Sequence, residues 1–256
     1  MRNRLAESAI IVIGGGSGIG AGTARRLGSE GVTLCVADIN AESAERIADE
    51  VRTAGGSAFA LTIDIADEAS VNAAVAAAVK QLGALDGAFI NAADLRVIYQ
   101  DSDALAEDLA VFDRTIAVNL RGHLLCTRAV LPHLLARDFG AIVYTSSAAA
   151  DVGDPVRPAY ASSKSAIHAL MRHVASRWGK EGITANCVAP GAVMTPEAMA
   201  GGQVPPEYIE EMLTLVKNKR LGKVEDIAGV VAMLLSEDGR WINGQVFHIN
   251  GGSFMR

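Results

Sequence analysis

The chain has 256 residues, of which 50% are hydrophobic and only 5% aromatic, with 26 glycines and a formal charge of −6 at pH 7. That length supports one α/β domain with a sizeable core. The acidic balance and the lack of any basic stripe argue against a nucleic-acid partner.

The start, "MRNRLAESAIIVIGGG", imitates a secretory leader, but Glu7 interrupts its apolar stretch and glycines follow at once, so no leader is expected. No apolar run is long enough to span a bilayer, and a cytoplasmic protein without membrane contact is the expectation. Cys35, Cys126 and Cys187 sit in apolar stretches without C-x-x-C spacing and read as buried free thiols of a reducing compartment. His123, His133, His168, His173 and His248 show no metal-ligand spacing. No metal is expected.

Short apolar runs alternate with helical patterns along the whole chain. "AIIVIG" (Ala9–Gly14) is β-branched and closed by glycines, so it reads as a buried strand. A helix follows from near Gly18 to about Ser29, and "VTLCVAD" (Val32–Asp38) is the second strand. The helical stretch "AESAERIADEVRTAGG" ends on a glycine pair, a plausible stop. Ser57–Asp64 is a third strand, "EASVNAAVAAAVKQLG" a helix, and Asp86–Asn91 a fourth strand. A long helical region covers roughly 105–137, as one helix or two, before the fifth strand, Gly140–Ser147. Pro158 opens a helix that runs to about Trp178, and Ile183–Gly191 is the sixth strand. "TPEAMAGGQVPPEYIEEML" reads as a mobile loop with a short helix after Pro205 and Pro206. A helix, "VEDIAGVVAMLLSE", and a last strand in "GQVFHINGG" complete the series. Strands alternating with helices imply a parallel sheet covered on both faces. With no repeat or linker, residues 1–256 form a single domain, with a substrate loop at about 195–215.

"IGGGSGIGAG" follows the first strand and opens a helix. Glycines there let the backbone approach a pyrophosphate, and the helix N-terminus attracts its charge. The spacing is G-x-x-x-G-x-G, at Gly14, Gly18 and Gly20. Asp38 ends the second strand 18 residues past Gly20. Its carboxylate suits the hydroxyls of an adenosine ribose and repels a 2′-phosphate, which favours NAD over NADP. The competing role is an N-cap for the helix that follows.

In "PAYASSKSAIHAL", Tyr160 and Lys164 are four residues apart at the start of a helix, so they share one face. An ammonium near a phenol favours the phenolate and should pull the Tyr160 pKa from about 10 towards neutrality. Alone, the pair reads rather as a solvated Tyr and Lys on a surface helix.

Gly14-x-x-x-Gly18-Ile19-Gly20, Asp64, Asn91-Ala92-Ala93, Asn119, Ser147, Tyr160-x-x-x-Lys164 and Pro190-Gly191 occur in this order. The ordered set resembles the short-chain dehydrogenase/reductase family in its compact form, and the resemblance runs from Ala9 to Gly252. It implies one doubly wound Rossmann-type α/β domain with a mostly parallel sheet of about seven strands. It also implies an oxidoreductase that interconverts a secondary alcohol and a ketone. By position, Tyr160 matches the general acid/base. Lys164 matches the residue that lowers its pKa and holds the nicotinamide ribose. Ser147, thirteen residues before Tyr160, matches the group that hydrogen-bonds the reacting oxygen, which leaves Ser146 a bystander. Asn119 matches the residue that keeps a proton-relay water near the lysine. Asp64 and Ile65 match adenine contacts, Asn91 and Ala92 backbone neighbours of the riboses, and Val193 and Thr195 contacts to the nicotinamide carboxamide. Ser17 stands where NADP-preferring relatives often carry a basic residue, which again favours NAD. The resemblance further implies a homo-oligomer, usually a tetramer, packed through the long middle helices and the last strand region.

Some positions depart from the family pattern. Ile13 replaces a usual threonine and Ala92 a second asparagine, as if a polar contact between adjacent strand ends were removed from both sides. Asp94 and Ala150 replace glycines. Asp94 either binds a polar substrate group or caps a loop. The substrate pocket should be walled by residues after Ser147, by Asp94 to about Tyr99, and by the loop 195–215. Met194, Met199, Met212 and Leu213 are its apolar candidates. Arg96 and Arg157 would meet a carboxylate or lie paired on the surface. The competing functions are an NADPH-dependent ketoreductase of carrier-bound acyl chains and a non-catalytic dinucleotide sensor or scaffold.

Overall fold

The computed structural model describes residues 5–196 and 205–255. The first half contains β1 (Ala9–Ile13), α1 (Gly18–Ser29), β2 (Thr33–Asp38), α2 (Ala41–Thr53), β3 (Ser57–Thr62), α3 (Glu68–Leu82) and β4 (Gly87–Ile90). Then come α4 (Leu109–Ile116), α5 (His123–Leu134), β5 (Gly140–Thr145), α6 (Pro158–Trp178) and β6 (Ile183–Pro190). The last part holds β7 (Val193–Met194), α7 (Pro206–Leu215), β8 (Gly222–Lys223), α8 (Val224–Leu235) and β9 (Val246–Ile249). Seven strands form one sheet in the order β3-β2-β1-β4-β5-β6-β9, with every pairing parallel.

Every residue of β1, β4, β5 and β6 is buried, so each strand packs on both faces and helices must cover both. Alternate residues divide the core. Ile11, Ile13 and Tyr144 pack with Val71 of α3, Leu125 of α5 and Ile167 of α6. Ile10, Val12 and Val143 pack with Leu27 of α1, Ile47 of α2 and Ile227 of α8. Each such aliphatic side chain contributes about 1.5–3 kcal/mol on leaving water.

The chain runs outward from β1 through β2 to β3, then returns to place β4 on the other side of β1. Connections at the carboxyl ends of β1 and β4 therefore diverge. A crevice opens there, and in such sheets that is where ligands sit.

The anticipated single doubly wound sheet is present. The region 105–137 is more broken than its helical pattern implies: α4 starts only at Leu109, capped by the Asp108 carboxylate on the Ala110 N–H at 2.9 Å. Between α4 and α5 the chain forms a π-helical stretch, Ala117–Gly122. Residues 197–204 of the anticipated substrate loop, Met199 among them, lie outside the described residues; α7 begins at Pro206, as the proline pair implies. The two-residue pair β7–β8 has no signal in the sequence. Cys35, Cys126 and Cys187 are buried and free, and burial pushes each thiol up to about 12. No described helix is long and apolar enough to cross a membrane.

Candidate active site

One cavity of about 900 Å³ occupies the crevice. On its first side the wall is backbone. Gly14 has φ +80, and a Cβ there would lie 2.6 Å from Ala92. Gly20 does not line the cavity; it lies against the Gly14 carbonyl, where a Cβ would come within 1.9 Å of the oxygen. Ser17, Gly18 and Ile19 do line it, at the N-terminus of α1, and the Ser17 side chain makes no cap bond. Helix N-terminal N–H groups beside a cavity suit an anionic phosphate.

Asp38 lines the cavity beyond them. One carboxylate oxygen accepts the Gly16 N–H at 2.9 Å and the other the Asn40 N–H at 3.0 Å. The cap of α2 is instead Asn40, which accepts the Ser43 N–H at 3.0 Å. With the N-cap role taken by Asn40, Asp38 keeps lone pairs directed at the cavity. A basic side chain absent from the sequence reading, Arg46, reaches the Gly16 carbonyl at 3.2 Å and pairs with Glu50.

Asp64 and Ile65 line the next stretch of wall. The Asp64 carboxylate accepts the Ala66 N–H at 2.9 Å, and its own N–H is held by the Ser70 hydroxyl at 2.9 Å. Asn91 and Ala92 line it as well. The Asn91 amide donates to the Gly14 carbonyl at 3.0 Å and accepts from the Thr145 hydroxyl at 2.9 Å. The polar link thought lost with Ile13 and Ala92 is thus supplied by Asn91 and Thr145, which tie the ends of β1, β4 and β5. No sequence signal marked Thr145.

The opposite wall carries side chains. Ser147 follows β5, and Tyr160 and Lys164 come from the first turns of α6; all three line the cavity. Lys164 is 1% exposed. Its ammonium donates to the Thr145 carbonyl at 2.9 Å and stands 5.8 Å from the Tyr160 ring centre. Burial pulls its pKa from 10.5 down to about 8. The expected lowering of the Tyr160 pKa is reversed in the protein alone. Burial raises it above 10, against a smaller opposite pull from the Ser147 hydroxyl and from the Arg157 charge. Desolvation disfavours a charged phenolate and sets the direction of the shift.

Asn119 sits in the π-helical stretch, fully buried behind the cavity rather than in its wall. Its carbonyl oxygen accepts the Asp94 N–H at 2.9 Å, and its amide nitrogen has no partner among the described residues. A buried amide left so is the setting in which ordered water is found. Ser146 also lines the cavity, but its hydroxyl is engaged elsewhere, hydrogen-bonded to His168 at 2.7 Å and donating to the Lys164 carbonyl at 3.1 Å. Pro190, Gly191, Val193 and Thr195 close the far end of the cavity.

Asp94 answers to the loop-cap alternative. Its side chain is 3% exposed and accepts the Arg96 N–H, both ends of the Arg96 guanidinium fork, and Arg114 Nε. Those bonds hold its carboxyl well below the usual carboxylate range, with Arg96 the largest cause. Leu95, Arg96 and Tyr99 line the cavity beside it, as anticipated. Arg157 is paired with Asp154 at 3.6 Å and does not line the cavity. Among the described residues no cluster of His, Cys, Asp or Glu could hold a metal.

The residues present fit a dinucleotide. Glycine backbone and a helix N-terminus stand where phosphates are accepted, a carboxylate stands beyond them, and a buried lysine faces the other end of one continuous cavity. Next to that lysine, a phenol and a hydroxyl can share one substrate oxygen.

A family model described as "Enoyl-(Acyl carrier protein) reductase" matches residues 14–253. "Levodione reductase" of Leifsonia aquatica is 34% identical over 256 residues, covering 97% of this chain and 95% of that protein. A "Probable short-chain type dehydrogenase/reductase" of Bradyrhizobium diazoefficiens is 38% identical over 242 residues, covering 94% and 85%. Among solved structures, a 7α-hydroxysteroid dehydrogenase complexed with NADH and 7-oxo glycochenodeoxycholic acid superposes with a TM-score of 0.90 at 31% identity, covering 98% of this chain and 95% of that one.

Proposed function

The chain belongs to the short-chain dehydrogenase/reductase family of oxidoreductases, and on that premise we propose that it interconverts a secondary alcohol and a ketone with NAD, using Tyr160 as general acid/base. The observation that carries this reading is the shared cavity, with Asp38 at one end and Ser147, Tyr160 and Lys164 at the other. The likeness to the NADH-complexed 7α-hydroxysteroid dehydrogenase supports the choice of dinucleotide.

Bound NAD would supply the hydride acceptor. Gly14, Ser17, Gly18 and Ile19 receive its phosphates, with Gly20 holding the turn. Asp38 receives the adenosine ribose, Asp64 and Ile65 the adenine, Asn91 and Ala92 the ribose backbone contacts, and Val193 and Thr195, after Pro190 and Gly191, the carboxamide. The phenol oxygen of Tyr160 takes the proton of the substrate hydroxyl. The Ser147 hydroxyl donates to the same oxygen and stabilises the charge that builds there. Lys164 stands 5.8 Å from the ring centre of that phenol and holds its ammonium on the Thr145 carbonyl. The Asn119 amide nitrogen, buried behind the cavity without a partner among the described residues, would hold the water that passes the proton on.

Asp38 and the neutral Ser17 weigh against an NADPH-dependent ketoreductase of carrier-bound substrates. The complete set of Asn119, Ser147, Tyr160 and Lys164 weighs against a catalytically silent sensor. A homo-oligomer is supported by the apolar side chains Leu109, Leu124 and Trp241, which are 74%, 43% and 96% exposed; a tetramer is what the family resemblance implies. The deciding experiment is a panel of secondary alcohols followed by reduced-nicotinamide absorbance with NAD and NADP in parallel. Turnover with NAD is the expected result. Turnover with NADP alone overturns the cofactor assignment. Silence across the panel beside tight NADH binding favours the sensor.

A further inference from the structure

Helix α6 lacks a cap of its own. Arg157, in the N-cap position, has a left-handed backbone with φ 67 and makes no side-chain cap bond. Pro158, the first helical residue, has no N–H to offer. The first donors in need of a partner are therefore the N–H groups of Ala159 and Tyr160. Both are taken by one distant carboxylate. Asp101, in the connection between β4 and α4, accepts the Ala159 N–H at 3.2 Å and the Tyr160 N–H at 2.8 Å. Asp101 is 4% exposed. The next residue completes a clasp, with the Ser102 carbonyl accepting the Arg157 N–H at 2.8 Å. The Ser102 N–H in turn donates to the Glu107 carboxylate at 2.6 Å.

From this geometry we propose that Asp101 is a positioning residue for catalysis: by capping α6 from outside, it holds the first turn, and hence the Tyr160 phenol, against Ser147. The inference rests on the proton-carrying role given to Tyr160. An ordinary cap anywhere on a helix contributes stability alone. This cap bonds the backbone of the residue whose side chain does the chemistry, and a displacement of about 1 Å there costs on the order of a hundredfold in rate. Asp101 belongs to the connection that also carries Leu95, Arg96 and Tyr99 to the cavity wall. The clasp therefore joins that wall to the catalytic helix. Of the charged groups, Arg157 at the start of α6 (paired with Asp154) acts on the phenol and Lys164 on α6 stands 5.8 Å from its ring centre; the neutral Ser147 hydroxyl after β5 bonds it, and Asp101 meets Tyr160 through the backbone N–H.

The test compares Asp101→Ala and Asp101→Asn with the unaltered full-length protein in three measurements. These are NADH affinity by fluorescence titration, kcat with an alcohol from the panel, and the Tyr160 titration by ultraviolet difference against Tyr160→Phe. Asp101→Ala is expected to leave NADH affinity within about twofold and to lower kcat by about tenfold or more. It should move the Tyr160 midpoint upward, because the Ser147 hydroxyl and Arg157 charge that pull it down are lost. Asp101→Asn, which keeps one acceptor, should recover most of both changes. An unchanged kcat and midpoint overturn the proposal, as does a parallel loss of NADH affinity and kcat. A midpoint that falls in both variants also overturns it, since that is the signature of the removed charge acting directly. If Asp101→Ala does not fold, Glu107→Gln loosens the clasp one contact further out and should shift kcat and the midpoint in the same directions by less; no shift rejects the clasp. If no alcohol is turned over, the proposed activity fails on its own, and the phenol titration still decides the role of Asp101.

Discussion

On the β1–β2 side of the crevice the groups facing the cavity are mostly backbone, held in place by glycine; on the β5–α6 side they are side chains, held in place by burial. Gly14 and Gly20 are dictated by contacts so close that no Cβ fits. Lys164 and Asn119 are polar groups kept at 1% and 0% exposure by residues far away in the chain. The first wall can only bind. On the proposed reading the second must hold a proton and give it up, which requires groups whose pKa values the interior has moved. The glycine turn of the first wall comes from one strand–helix connection, whereas the polar groups of the second come from three separate segments, at Asn119, at Ser147 and at the Tyr160–Lys164 turn.

The sharpest test of that division is Tyr160→Phe. Removing the phenol should lower kcat by about 10³-fold, or roughly 4 kcal/mol of transition-state stabilisation, and leave NADH affinity within about twofold. If binding falls with turnover, the two walls are not separable. Gly20→Ala attacks the other wall. Its new Cβ would lie 1.9 Å from the Gly14 carbonyl oxygen, and overpacking of that kind should cost about 3 kcal/mol in denaturant unfolding and abolish dinucleotide binding.

Asp94→Asn probes the rim between the walls. Its carboxylate is buried, but Arg96 and Arg114 are 71% and 40% exposed, so solvent screens the pairs and the loss should be about 1–2 kcal/mol. The pH dependence gives the sign. Asp94 has a depressed pKa in the fold, so its contribution is fully present above the unfolded value of about 3.9 and fades as pH falls towards the lower folded value. The variant should lose stability less steeply than the unaltered protein below about pH 4 in urea titrations.

Lys164→Met should show the smallest stability change and the opposite sign. Burial lowers the lysine pKa from 10.5 to about 8, so the charged form is a cost to the fold at pH 7. That cost fades as pH rises from about 8 to 10.5, where the unfolded chain binds the extra proton. Thermal unfolding at pH 7 should show a Tm equal to or above that of the unaltered protein, and the gap should narrow by pH 10, while turnover is lost. A lower Tm at pH 7 would mean that the lysine is a structural prop.

Much of this was legible in the residues. The i, i+4 spacing of Tyr160 and Lys164 survives folding because one helix carries both. The glycine turn and Asp38 survive because one strand–helix–strand unit carries all of them. The same local logic misjudged Tyr160: it registered the nearby ammonium and could not register the burial that dominates. Asp101 was missed because its cap acts 58 and 59 residues away, and Thr145 because its partner Asn91 lies on another strand. The π-helical break at Ala117–Gly122 left no mark in a helical pattern that reads as one helix or two.

The sequence by itself determined the periodicities, and with them the parallel sheet covered on both faces, the glycine turn, and the phenol and ammonium on one helix face. These depend on backbone sterics and on contacts within a few residues. Tertiary structure alone decided which polar groups would be desolvated, in which direction their pKa values would move, and which distant carboxylate would cap the catalytic helix. Those quantities depend on the surroundings of an atom, and the chain has surroundings only once it has folded.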